Sequence, residues 1–140
     1  MWSRIGVRTA VDVQSFSSFV TRASRQEFSS FLVSWGSSAG EPSAGMRSVL
    51  ATYDRAAGMG AVNRGRYANP AFDALLMRGM READNAKREA LLQEAMRLAI
   101  NDQAIIPMHV QRNVWAMRQG LTHTPRTDER TRPQDVRTAN

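Results

Sequence analysis

The first third of the chain carries two extended hydrophobic patterns separated by a helical one. Apolar and polar side chains alternate with a period of two over residues 5–13, which predicts a β-strand. Ser15 precedes apolar residues at helical spacing and is predicted to cap a helix that begins at Phe16. The apolar run 28–33 predicts a second strand. Together they predict a right-handed βαβ unit with parallel strands, in a sheet that needs further neighbours to be covered on both faces.

The middle of the chain is predicted to be a long connection. From Glu41 to Tyr67 the composition shifts to Gly, Ala, Ser and Arg, with a short helix expected within residues 46–54. The stretch GMGAVNRG resembles the dinucleotide-binding fingerprint, but Asn63 replaces the third glycine and the stretch follows a loop rather than a strand. We therefore interpret it as a flexible connection.

A helical hairpin is predicted next. Asn69 and Pro70 stand at the N-cap and first helical positions, and Asp84 or Asn85 caps a second helix. Each helix has an apolar stripe that predicts its buried face, formed by Phe72, Leu75, Leu76 and Met80 in the first and by Leu91, Leu92, Ala95, Met96, Leu98 and Ala99 in the second.

The last part of the chain is predicted to be extended and then irregular. Residues 104–110 and 113–118 have extended patterns, and Pro107 favours an edge or crossing strand. After Gly120 the chain is polar and contains proline, which predicts an irregular tail over residues 121–140.

Composition narrows the function classes. The 140 residues suffice for one ordinary domain, no apolar run is long enough to cross a bilayer, and the absence of cysteine excludes disulfides and thiolate chemistry. The two histidines, His109 and His123, lack the spacing of a metal site, and no G-x-S-x-G motif is present, so neither a metal nor an enzyme is favoured. The net charge is +6, and nearly all of the positive charge comes from arginine. The arginines are scattered along the chain, whereas nucleic-acid binding requires them to cluster on one face.

One short stretch is a candidate binding loop. The sequence WGSSAGEP follows the second predicted strand, and ligands of open α/β sheets bind beyond the carboxyl ends of strands. An indole wall, small residues that let the backbone approach a ligand, and polar groups that orient it are all present. The candidate ligand-binding residues are Trp35, Gly36, Ser37, Ser38 and Glu41. The pattern fits equally well a turn that ends a strand, with Trp35 buried in the core.

The order of these segments resembles the C-terminal part of the family 5 extracytoplasmic solute-binding proteins. These are the dipeptide, oligopeptide and nickel-type binding proteins of bacterial ABC transporters. The segments that carry the resemblance are the strand followed by Trp-Gly, the start Tyr-x-Asn-Pro of a helix, and the Ile-Pro strand followed by Trp-Ala-x-Arg and Gly-Leu. The resemblance runs over nearly the whole chain but covers only about the last quarter of a typical member.

The resemblance implies an α/β fold in which residues 1–120 form part of the C-terminal lobe of a type II periplasmic-binding protein. It implies a periplasmic protein without enzymatic activity or cofactor, whose lobes close on a peptide or related small solute and then dock on a membrane permease. In peptide-binding members the loop carries an aspartate that pairs with the free amino group of the peptide, and that position falls at Ser38. A hydroxyl cannot supply this charge-assisted pairing, so we expect a ligand whose amine is absent or held elsewhere.

Two other functions remain open at the level of sequence. The chain can be a self-standing interaction module that buries exposed sheet edges and apolar faces in a homo-oligomer. A third reading, an arginine-rich nucleic-acid binder, requires a steep dependence of binding on salt. The function implied by the resemblance, a solute-binding component of an importer with no nucleic acid among its partners, is preferred.

Overall fold

The computed structural model describes residues 2–37, 40–126 and 128–139. Its longer helices are α1 (Phe16–Ser24), α3 (Pro70–Arg81) and α4 (Asn85–Asn101), and the short helix α2 (Ser43–Gly45) continues into a π-helical segment, Met46–Leu50. Strands β1 (Leu121–His123) and β2 (Val136–Thr138) pair in antiparallel fashion, with Leu121 opposite Thr138 and His123 opposite Val136. Short 3-10 helices span Trp2–Ile5 and Pro133–Asp135. Helices and a small sheet therefore occur together, which is compatible with a mixed α/β class.

The hydrophobic core lies in the helical body, residues 42–104. Helices α3 and α4 form the predicted hairpin, and Phe72 and Leu76 of α3 are completely buried against Ala95 and Ala99 of α4 and the residues of the π-helical segment. Gly79 allows close contact between the helices, since a Cβ there would lie 2.9 Å from Leu92 Cδ2. Met80 is the exception in the predicted stripe, because it remains 38% exposed.

The helix starts follow local side-chain chemistry. The Asn69 side chain accepts hydrogen bonds from the backbone N–H groups of Ala71 and Phe72, and the Asp84 carboxylate accepts one from Lys87 N–H. Ser15 likewise accepts one from Ser18 N–H. All of these caps satisfy N–H groups that have no partner inside the helix, so the predicted starts of α1, α3 and α4 are confirmed.

The connection between the π-helical segment and α3 is packed rather than loose, so the prediction of a flexible connection is wrong. Asn63 is buried, and its amide nitrogen donates to the carbonyl oxygens of Ala51 at 2.8 Å and Tyr67 at 2.7 Å. Its side-chain oxygen accepts from Tyr67 N–H at 3.2 Å. Gly60 has a φ of 63°, and a Cβ there would lie 2.4 Å from the Ala51 carbonyl oxygen, so the close chain crossing requires glycine.

The predicted βαβ unit does not form within the described residues. Residues 5–13 and 28–33 surround α1 as predicted, but neither segment pairs as a strand. Phe19 of α1 instead stacks on Phe28 and contacts the edge of Phe31. A strand is stable only when its backbone groups bond to a neighbouring strand, and the alternating pattern specifies the two faces of a segment without supplying that neighbour.

The segments that follow α4 also differ from prediction. Residues 104–118 form no strand in the part of the chain that the structure describes, so the expected crossing strands are absent there. The tail after Gly120, predicted to be irregular, contains β1 and β2 and an ion-paired cluster in which Arg126 lies 2.7 Å from Asp128 Oδ2. No helix among the described residues is both long enough and apolar enough to cross a membrane.

Candidate functional site

Trp35 lies on the surface of the helical body. Its side chain is 53% exposed, so the alternative of a fully buried core tryptophan does not hold. The indole is nevertheless in close contact with α2, because a Cβ built on Gly45 would lie 2.9 Å from Trp35 Nε1 and 3.1 Å from its Cδ1. The absence of a side chain at position 45 therefore creates the space in which one edge of the indole sits, while the rest of the ring remains exposed to solvent.

Polar contacts close the loop that follows Trp35. The Ser37 hydroxyl donates to the Glu41 carbonyl oxygen at 3.2 Å, and the Ser43 hydroxyl donates to Glu41 Oε2 at 2.5 Å. The other carboxylate oxygen of Glu41 is shielded from solvent and has no hydrogen-bond partner among the described residues. One carboxylate oxygen of Glu41 is therefore hydrogen-bonded to α2, and the other makes no hydrogen bond to the described residues.

The predicted site residues are brought together only in part. A hydrogen bond joins Ser37 to Glu41. Both Glu41 and Trp35 contact α2, Glu41 through Ser43 and Trp35 through Gly45. Gly36 is exposed, with open space where a Cβ would be, so nothing in its surroundings requires glycine. Ser38 lies outside the described residues.

A polar cluster that joins the two ends of the hairpin was not predicted. Asp102 follows the last turn of α4, and its Oδ2 accepts hydrogen bonds from the Tyr67 hydroxyl at 2.7 Å and the Asn69 amide at 2.6 Å. These two hydrogen bonds lower the pKa of Asp102. Partial burial, together with the hydrogen bond from Tyr67 to Asp102, raises the pKa of Tyr67 to about 12. The phenol therefore stays protonated and continues to donate. The sequence shows Asn69 as a helix cap, but it contains no local signal for a contact with a residue 33 positions away.

This cluster has a testable dependence on pH. Because the pKa of Asp102 in the folded chain lies below its ordinary value of 3.8, its stabilising contribution is complete above that value and is lost as the pH falls through the lower one. We expect the difference in unfolding free energy between the wild-type chain and Asp102→Asn to shrink as the pH is lowered below 3.8. Urea unfolding over a pH series measures it.

The control for this series is Glu94→Gln. It removes one carboxylate from the exposed side of α4, where the Glu94 side chain has no hydrogen bond or ion pair within the described ranges. Its difference from wild type is expected to show little dependence on pH. A difference for Asp102→Asn that does not change with pH would rule out the assigned role of the Asp102 carboxylate.

A shallow groove lies on another side of the helical body. It has a volume of about 570 Å³ and is lined by Thr52, Tyr53, Asp54, Arg55, Ala57, Met59, Asp73 and Met77. Its carboxylates are already engaged with the protein, because Asp73 accepts a hydrogen bond from Thr52 N–H and Asp54 accepts from the N–H groups of Ala56 and Ala57. The bond to Asp73 holds the connection onto α3, and the bonds to Asp54 close the turn itself, so the groove is explained by the packing of the connection.

Within the described ranges, no group of three or more His, Asp or Glu residues is arranged to hold a metal ion. No protein-family model matches the chain, and no curated protein or solved structure matches it.

Proposed function

We propose that the chain is part of the substrate-binding component of an ABC importer for peptides or related small solutes. In this proposal the Trp35 loop forms one wall of an interlobe cleft in a periplasmic protein. Solute binding shifts an equilibrium between open and closed lobes, and the closed form presents the solute to the membrane permease. The protein carries out no chemical reaction.

The observation that supports this function most is that the Trp35 side chain is held in place and yet exposed to solvent. The large indole is fixed at one edge against Gly45 and yet remains 53% exposed. Aromatic walls with nearby polar groups are typical of small-molecule sites, where the apolar ring supplies contact area and the polar groups set orientation. The loop combines Trp35 with the hydroxyl of Ser37 and the carboxylate of Glu41 in this way.

The unpaired apolar segments support the proposal that the chain belongs to a larger lobe. Large apolar side chains of the extended segments on either side of the helical body are exposed to solvent, among them Val11, Val13, Leu32, Ile106, Val110 and Val114. Apolar side chains in unpaired extended segments are available to pack against a partner strand. In the proposed C-terminal lobe of a type II periplasmic-binding fold, these segments pair with strands from outside this chain and become buried.

A transport assay tests the proposed function. Disruption of the gene in the bacterium that encodes the protein is expected to reduce uptake of labelled di- or tripeptides. The wild-type gene is expected to restore uptake, and Trp35→Ala is expected to restore it poorly, because the variant loses the exposed wall of the site. Trp2→Ala is the matched control, since Trp2 is similarly exposed at 49% but belongs to a separate 3-10 helix. Unchanged uptake after disruption would contradict an importer role for these solutes.

The exposed apolar segments also support a second candidate, a self-standing oligomeric interaction module. In that case copies of the chain cover one another's apolar segments. Size-exclusion chromatography with light scattering distinguishes the two candidates when combined with the transport assay. A defined oligomer with no effect on uptake would favour the module, whereas a monomer would exclude it.

A further inference from the structure

We propose that residues 7–13 form an antiparallel strand pair with the same segment of a second copy of the chain. The sequence of this segment, VRTAVDV, is self-complementary when two copies run in opposite directions about Ala10. The inference rests on the second candidate function for the identity of the partner, and it names the surface through which the copies associate. It does not depend on solute binding by the Trp35 loop.

The first argument is that the segment has the alternation of a β-strand but no strand partner. Among the described residues, 8–13 take part in no backbone–backbone hydrogen bond, and none of them has a positive φ. Val7, Thr9 and Val11, at a spacing of two, line one shallow cavity of about 330 Å³, so their side chains share a face. Val11 and Val13 are 84% and 90% exposed, which leaves this face and the strand edge open to a partner.

The second argument is the charge pattern on the opposite face. An antiparallel pair centred on Ala10 places Arg8 of each copy opposite Asp12 of the other. The two-fold symmetry of such a pair therefore forms two ion pairs across the strands. On the apolar face the same register places Val7 of each copy opposite Val13 of the other, and β-branched side chains pack well in this arrangement.

The same charges disfavour the other ways of pairing two copies. A parallel pair in register would place Arg8 beside Arg8 and Asp12 beside Asp12, and like charges directly opposite each other are destabilising. In an antiparallel pair, a shift of one residue turns the apolar face of one copy to the side of the polar face of the other. A shift of two residues leaves both charged side chains without an opposite charge across the strands. The register about Ala10 is therefore specified by the sequence.

Both charged side chains are available to a second copy. Arg8 forms no ion pair with a described residue. The Asp12 side chain is 52% exposed, and the bonds from Arg22 and Gln14 both go to its Oδ2. Its Oδ1 accepts no hydrogen bond from the described residues and can accept one from a guanidinium group of the other copy.

The other two extended segments that lack strand partners do not have this pattern. Residues 28–33 contain no charged side chain, so charge does not set their register. Residues 104–110 contain no Lys, Arg, Asp or Glu, and Pro107 has no N–H group to donate to a neighbouring strand. Residues 7–13 are therefore the segment whose own sequence identifies a second copy as its partner.

Sedimentation velocity of the 140-residue chain over a concentration series tests the inference. Arg8→Asp and Asp12→Arg each place like charges opposite each other in the homodimer, whereas an equimolar mixture of the two variants restores both ion pairs in a heterodimer. The matched controls are Arg97→Asp and Glu94→Arg, which make the same changes of charge at exposed positions of α4. The urea midpoint of each variant checks that the fold is retained.

Wild type is expected to dimerise reversibly. Each of the two segment variants is expected to raise the Kd of the dimer about tenfold or more, and their mixture to return it to within about threefold of wild type. The controls are expected to leave the Kd unchanged. A wild-type dimer that the Arg8 and Asp12 variants do not weaken, or a mixture that does not associate, overturns the inference while the second candidate function stands with another surface. A monomer at every concentration overturns both, and the transport assay decides separately on the importer function.

Discussion

Replacing Phe72 by alanine is expected to lower the free energy of unfolding by about 3–5 kcal/mol. Phe72 is completely buried in the helical body, and its ring meets that of Tyr67 edge to face with centroids 5.7 Å apart. The substitution removes this contact and leaves a cavity between α3 and the packed connection. Since a typical domain is stable by only about 5–15 kcal/mol, this loss is a large part of the total stability, and the urea midpoint is expected to fall strongly. Urea denaturation followed by circular dichroism measures the change.

Phe16→Ala is the matched control for this prediction. Phe16 belongs to the short helix α1, and its side chain is 73% exposed, so the same truncation removes little buried surface. Its effect is expected to stay below about 1 kcal/mol. Similar losses for the two variants would mean that α3 and α4 do not form the main cooperative core of the chain.

The second large effect is expected at Asn63. Replacement by alanine removes the side-chain bonds to the backbone of Ala51 and Tyr67 and leaves their polar groups without partners inside the packed connection. An unsatisfied polar group that is fully buried costs about 1–3 kcal/mol, and because the two bonds to Tyr67 are only partly buried we expect a loss of about 2–4 kcal/mol in total. Urea denaturation gives the size of the loss, and hydrogen exchange of the Tyr67 amide shows whether the connection opens.

The control for Asn63→Ala is Asn113→Ala, which changes an exposed asparagine in an extended segment. It is expected to leave the urea midpoint nearly unchanged. If Asn63→Ala also left the midpoint and the exchange of the Tyr67 amide unchanged, the buried asparagine would not be what holds the connection together.

The helical hairpin could be predicted from the sequence because its signals are local. A cap bonds to N–H groups two or three residues away, and an apolar stripe repeats within one or two turns, so Asn69 and Asp84 mark the helix starts without reference to the rest of the fold. Phe72 and Leu76 are buried as their spacing predicts. Met80, at the end of α3, belongs to the same stripe but is partly exposed, because the neighbouring helix determines how far burial extends.

The candidate site could be predicted only in part. The sequence places Trp35, Ser37 and Glu41 in one short loop, but it gives no indication that Gly45 makes room for the indole or that Ser43 occupies one oxygen of the carboxylate. These contacts depend on how the loop lies on α2. The tertiary structure alone therefore shows that one carboxylate oxygen of Glu41 is hydrogen-bonded to Ser43 and that the other has no partner among the described residues.

By itself, the sequence determined the caps, the starts of α1, α3 and α4, and most of the buried face of the hairpin. The tertiary structure decided that residues 5–13 and 28–33 do not pair as strands, that Asn63 packs the connection, and that Asp102 joins the two ends of the hairpin. It also decided that β1 and β2 pair in the tail. Helix signals act over a few residues, whereas strand pairing and buried polar contacts need partners distant in sequence, and a hydrophobic pattern does not identify those partners.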